Sequence, residues 1–203
     1  MRDWRVPPPP RPEDQRVASV RTRLKRMADG AILMNAAVIA VDVPIGFGPR
    51  RADAAARAFM SGAASTVFTT PSREILASRF GPGLGVSAQA HALGERILHV
   101  TDLAELDARL REVHPEVSFC AMNEGQPLRY RKKTAGGVLE RIEILRRHAV
   151  ELDHLANAAV VPIDDVLDAA AAAWSAHRIA TGVAQSLPEP PEVVNGHLVA
   201  IWY

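Results

Sequence analysis

The chain has 203 residues, 48% of them apolar and 23% charged, a balance that suits one globular domain with a substantial core. Lys plus Arg (24) nearly cancels Asp plus Glu (23), so the net charge of +1 supplies no bulk field toward nucleic acid or membrane, and any polyanion site has to be a local basic patch. One cysteine, Cys120, excludes an intramolecular disulfide and fits a reducing cytoplasm.

Residues 1–16 carry a four-proline run and no apolar centre, so they read as an extended segment rather than a signal peptide. The remainder, 17–203, reads as a single domain. Residues 17–27 place Val17, Val20, Leu24 and Met27 at steps of three and four, the pattern of an amphipathic helix with Arg21, Arg23, Lys25 and Arg26 outside. Ala36–Val43 is a short apolar run bounded by turn residues, which predicts a buried strand ending at Asp42. Residues 50–60 are alanine-rich and helical in propensity. Thr66–Thr69 is β-branched, and Ser72 is placed to cap a helix starting at Arg73. A glycine-rich loop over 79–90 leads into a helix near Ser87.

Further on, Ile97–Val100 predicts a strand, 102–110 a helix, and "REVHPEVSF" (111–119) a strand with a proline in it. Residues 123–137 are polar, basic and glycine-rich, hence a loop; 138–155 and 161–182 predict helices, the second closed by Gly182; 196–203 predicts a final strand. Helices and strands alternate, so the class is α/β. No stretch of about 18 apolar residues appears, which argues against a membrane span.

Three acidic groups stand out. Asp42 leaves its strand at the carboxyl end, where open α/β sheets concentrate functional groups; it reads either as a turn cap or as a metal ligand. Glu112, His114 and Glu116 fall at i, i+2 and i+4, one face of an extended strand, suited to a divalent cation, to proton transfer or simply to solvent. On 161–182, Asp165 and Asp168 are three apart on one helix face, with Asp164 as the N-cap. Asp168 lies among alanines that permit close packing, so it is either exposed or held against a partner. Carboxylates that converge repel one another unless a cation sits between them, and hard oxygen ligands favour Mg²⁺ or Mn²⁺ over zinc. The basic candidates are Arg73, Arg129, Arg131, Lys132 and Lys133; "RYRKK" with Tyr130 can hold a phosphate backbone and stack on a base, or be a solvated loop. His91, His99, His148, His154, His177 and His197 show no ligand spacing; Cys120 reads as core; Gly81, Gly83 and Gly85 form no phosphate loop.

In order along the chain come "VDVPIGF", Arg50-x-x-Asp53-x-x-Ala56-Arg57, "STVFTTPSR", "REVHPEVSF", "KKTAGG" and "DDVLDAAAAAWSA". Over about residues 36–202 this set resembles domain-of-unknown-function family 429, grouped with predicted nucleases of the ribonuclease H-like fold. The resemblance implies a mixed sheet flanked by helices and a metal-dependent, carboxylate-lined site. Carried onto this chain, its acids are Asp42, Glu112 or Glu116, and Asp165 with Asp168. His114 and Arg73 are accessory, and Lys132 or Lys133 contacts phosphate. Such proteins usually open with a glycine-rich β-hairpin carrying an early aspartate, a segment this sequence lacks. An N-terminally reduced sheet is therefore expected, with an edge that invites a homodimer. The leading expectation is a Mg²⁺- or Mn²⁺-dependent nuclease. The alternatives are a catalytically degenerate binding module and a phosphotransferase or nucleotide hydrolase of the same superfamily.

Overall fold

The apolar run before Asp42 forms a strand of three residues, β1 (Ile39–Val41). It is the first described element of the computed structural model, which describes residues 36–152, 158, 160–194 and 196–203. The expectations for 1–16, for the helix at 17–27 and for His154 lie outside the described residues. After β1 come helix α1 (Arg51–Phe59), a 3-10 turn (Ala64–Thr66), two short helices α2 (Arg73–Ala77) and α3 (Ala88–Ala92), and helix α4 (Gly94–Ala104). Strand β2 (Leu110–Val113) is followed by helices α5 (Pro115–Met122), α6 (Ala135–Arg147) and α7 (Ile163–Ala180), then by strands β3 (Ser186–Val194) and β4 (His197–Trp202).

The sheet order is β1-β2-β4-β3. β1 and β2 are parallel, with Val41 opposite Glu112, and β2 and β4 are parallel, with Val113 opposite Trp202. β3 returns antiparallel on β4. The fold is therefore mixed α/β: a four-stranded mixed sheet with flanking helices. Ala37–Tyr203 form one unit. Helix α1 packs on β3 and β4, while α7 packs on β1, β2, α5 and α6.

One core cluster joins Ala52, Ala56 and Met60 of the α1 region to Val117 and Cys120 of α5 and Ile201 and Tyr203 at the end of β4. A second joins Phe119 and Met122 of α5 to Ile144 and Leu145 of α6 and Leu167 and Ala171 of α7. The larger of these side chains, Met60, Val117, Phe119, Ile144, Leu145, Leu167 and Ile201, each contribute roughly 1.5–3 kcal/mol when fully buried. Helix α5 is the hinge of both clusters. Its Ser118 and the Ser175 of α7, both buried, share a hydroxyl hydrogen bond of 2.8 Å, so the two helices approach closely through small residues.

Several local expectations are corrected. The β-branched segment Thr66–Thr69 does not join the sheet: the chain there leaves a 3-10 turn and Thr70 is tied to α1. Ile97–Val100 is helical; Ile97, Val100, Thr101 and Leu103 make the buried stripe of α4, a period that a four-residue window concealed. Helix α4 ends at Ala104, before most of the helix expected over 102–110. "REVHPEVSF" changes from strand to helix at Pro115, which occupies the first helical position, where its missing N–H costs nothing. The helix expected from 138 starts at Ala135, capped by Thr134, and stops at Arg147, where Ala149 takes φ 56°. Asp164 is not the cap of α7; Pro162 holds that position. Strand β3 is not among the expected elements; its Pro188, Pro190 and Pro191 are tolerated because β3 is a sheet edge. The helix at 50–60, the cap at Ser72, the helix beginning near Ser87, the closing Gly182 at φ 73° and the last strand stand where the sequence places them.

Candidate functional site

β1 and β2 run parallel and end side by side, so the residues just beyond them, Asp42 and His114, face the same space. That space is a cleft of about 620 Å³ at the carboxyl ends of the two strands. Its wall includes Asp42, Glu112, His114, Glu116, Lys132 and Asp168, together with Arg96, Tyr130, Arg131 and Arg141.

The cleft floor is a buried ion network. Arg50, 2% exposed in its side chain, grips Glu112 with two nitrogens at 2.5 and 2.9 Å and also binds Asp53 and the Ile45 carbonyl. Asp53 accepts from the Thr70 N–H at 2.7 Å and from the Thr70 hydroxyl. Glu112 accepts from the Ile45 N–H at 2.7 Å. The "R-x-x-D" spacing at Arg50 and Asp53 thus ties β2, the loop after β1 and residue 70 to the start of α1. Burial pushes the Glu112 carboxyl up, against the opposing pull of Arg50 and the Ile45 N–H. Gly48 completes the join: a Cβ there would lie 1.6 Å from the Thr70 carbonyl oxygen.

Helix α6 builds the basic side of the cleft. Its Glu140 accepts from the N–H groups of Arg129 and Tyr130 at 3.0 and 3.1 Å. The Tyr130 ring lies on Gly136, and a Cβ on Gly137 would come within 2.0 Å of the Arg131 carbonyl oxygen. The "RYRKK" segment is therefore pinned on the first turns of α6, and "AGG" is what lets it approach. Arg141, 2% exposed, donates to both Glu116 oxygens at 2.7 and 2.8 Å and to the Gly137 carbonyl. Glu116 stands in the first turn of α5, not on the strand face with Glu112 and His114 that its spacing suggested.

Asp168 enters the cleft from α7. Lys132 Nζ donates to its Oδ2 at 2.7 Å, while Oδ1 is buried and has no hydrogen-bond partner. Burial raises the Asp168 carboxyl above its ordinary range; Lys132 opposes this and Glu116 adds to it. Asp42 is exposed to the cleft. Desolvation by the surrounding walls also raises its carboxyl, His114 and Lys132 counter it, and Asp168 and Glu112 add to it. Asp42 and Asp168, far apart in sequence, thus share one electrostatic environment. The Lys132 ammonium is held above its usual range: burial works against it, but Asp168, then Glu116 and Asp164, outweigh that. His114 contributes a buried Nδ1 without a partner.

Other expected residues fall elsewhere. Asp165 is exposed on the first turn of α7 and does not line the cleft; Asp164, one helical turn before Asp168, shares its side and lies 3.8 Å from the ammonium of Lys133. Arg73 pairs with Asp102 at 3.4 Å and stacks over Phe47, outside the cleft. His91 and His148 bind the Ser78 and Met122 carbonyl oxygens, and Cys120 is fully buried. Among the described residues, no group of three or more acids, histidines or cysteines is arranged to hold a metal ion. No described helix is long and apolar enough to cross a membrane.

Sequence reading missed Arg141, Glu140 and the role of the Arg50 network. Arg141 carried a signal: it replaces an apolar residue on the stripe Val138, Arg141, Leu145, and a charge on a buried stripe needs a buried partner.

The fold and the cleft define a mixed α/β protein with an acid-and-base-lined pocket at the ends of parallel strands. The chain belongs to DUF429, a family described as proteins of unknown function, whose model matches residues 12–193. Comparison with the curated proteins and with the solved structures gives no match.

Proposed function

We propose that this cleft is the active site of a metal-dependent nuclease that hydrolyses phosphodiester bonds, on a ribonuclease H-like mixed sheet. The observation that carries the reading is that Asp42 and Asp168, from the end of β1 and from α7, line one cleft together with Lys132 and Arg131. The donor chemistry suits Mg²⁺ or Mn²⁺. Asp168 offers an unpaired buried oxygen, Asp42 an open carboxylate, and Mg²⁺ is commonly held by one or two carboxylates with water and substrate phosphate completing its shell. Asp42 and Asp168 are the residues to hold it. When bound, such an ion neutralises developing phosphoryl charge and makes water a better nucleophile.

The chain's own groups do the rest. His114, on the same cleft wall as Asp42, is the candidate proton acceptor. Arg131 and Lys132 orient the phosphate, and Tyr130, 45% exposed, offers a ring to a base. Glu112 and Glu116 hold Arg50 and Arg141 in place, so their role here is to position the walls.

The non-catalytic reading, a binding module, draws on the same ion pairs: each of Glu112, Glu116 and Asp168 already has a cation. Labelled single- and double-stranded DNA and RNA, incubated with Mg²⁺, Mn²⁺ or EDTA, separate the two. Cleavage lost in EDTA and in Asp42→Asn and Asp168→Asn supports the nuclease; binding without cleavage supports the module.

A further inference from the structure

Lys132 stands apart from the other basic residues of its loop. Its neighbour Lys133 is 79% exposed and 3.8 Å from Asp164, whereas Lys132 is 38% exposed and reaches 2.7 Å into Asp168. Around its ammonium stand Asp168 and Asp164 from α7 and Glu116 from α5, with Asp42 across the cleft. The backbone of the loop is fixed on α6 through Glu140, Gly136 and Gly137. The four-carbon stem of Lys132 is not so fixed, and a half-exposed ammonium can turn toward solvent while Asp168, 14% exposed, cannot.

The geometry points to Lys132 as a resident counter-ion, one that holds Asp168 in the metal-free protein, competes with the divalent cation for it, and passes to the substrate phosphate when that cation binds. The inference rests on the nuclease reading and adds its regulation: the ion and the nucleic acid bind cooperatively, because each takes one partner of the same ion pair. A phosphate that draws Lys132 away frees Asp168 Oδ2 to join the already unpaired Oδ1. Metal affinity is then low without substrate and rises with it. Coupling of this kind is reciprocal: metal tightens nucleic-acid binding by the same factor.

The test is Mn²⁺ binding to the full chain, followed by the electron paramagnetic resonance of free Mn²⁺, with and without a short oligothymidylate. Lys132→Met keeps the stem and removes the charge; it is expected to bind Mn²⁺ at least about tenfold more tightly than wild type, since a unit charge a few ångströms away acts strongly at an effective dielectric near ~20. Lys132→Arg retains the charge and is expected to stay at or below wild-type affinity. Lys133→Met changes affinity less than about twofold, its charge being screened by solvent. The oligothymidylate raises Mn²⁺ affinity of wild type and leaves that of Lys132→Met unchanged. Equal affinity of wild type and Lys132→Met, or an equal gain in Lys133→Met, overturns the inference while leaving the nuclease reading intact. Mn²⁺ binding unaffected by Asp168→Asn overturns the metal reading itself.

Discussion

Arg50→Met removes the one cation from a buried network of two carboxylates. The side chains of Arg50, Asp53 and Glu112 are 2%, 2% and 4% exposed. Methionine fills the space of the stem but, among the described residues, leaves Glu112 with the Ile45 N–H and Asp53 with Thr70. Removing one partner of a buried pair costs roughly 3–5 kcal/mol, because the remaining charge stays desolvated. A typical total stability is about 5–15 kcal/mol, so the variant loses a large share of it. At about 2–4 °C per kcal/mol for a domain of this size, the melting temperature falls by roughly 6–20 °C. Urea unfolding at neutral pH, read by circular dichroism, measures the loss. Adding Glu112→Gln to the Arg50→Met background removes one stranded charge and is expected to restore part of it. A drop below about 1 kcal/mol, or no rescue by the second change, refutes the argument that this network clamps β2 and the loop after β1 to α1.

The other predictions concern the cleft. Asp42→Asn is expected to stabilise the metal-free protein at neutral pH, because desolvation raises this carboxyl from 3.8. A raised acid favours the fold when protonated and loses that contribution as pH rises from 3.8 through its folded value, so the melting-temperature gain should shrink on acidification in EDTA. Gly137→Ala sets a methyl against the Arg131 carbonyl oxygen and is expected to weaken oligonucleotide binding roughly tenfold, with helicity retained, as filter binding and circular dichroism would report. Tyr130→Ala should weaken single-strand binding by about 1–3 kcal/mol, with duplex binding nearly unchanged; a equal loss on both contradicts a stacking role.

What the sequence disclosed was governed by period and punctuation. The strand ending at Asp42 and the helix closing at Gly182 are marked by apolar runs against turn residues, and both are found. Ile97–Val100 misled because four apolar residues look alike in a strand and in a buried helix face; only the longer stripe through Leu103 decides. Pro115 signals a strand end, and the strand does stop at Val113; that the proline also opens a helix, which turns Glu116 toward Arg141 rather than alongside Glu112, was not legible. At the site, Asp42, His114, Lys132 and Asp168 were legible as candidates, Asp42 from its strand end and the others from residue type and spacing, and the cleft holds all four. Their partners were not legible, since pairing such as Arg50 with Glu112 or Arg141 with Glu116 is set by tertiary packing that no spacing encodes. Of the α7 acids, Asp168 lines the cleft, Asp164 lies 3.8 Å from the Lys133 ammonium and Asp165 is exposed.

The account stands on a divalent ion held jointly by Asp42 and Asp168. Crystals grown with Mn²⁺ and examined by anomalous diffraction test it most directly. An anomalous peak bonded to carboxylate oxygens of both residues, at about 2.0–2.2 Å and absent from Asp168→Asn crystals, is the predicted result; a peak elsewhere, or none at saturating Mn²⁺, contradicts it.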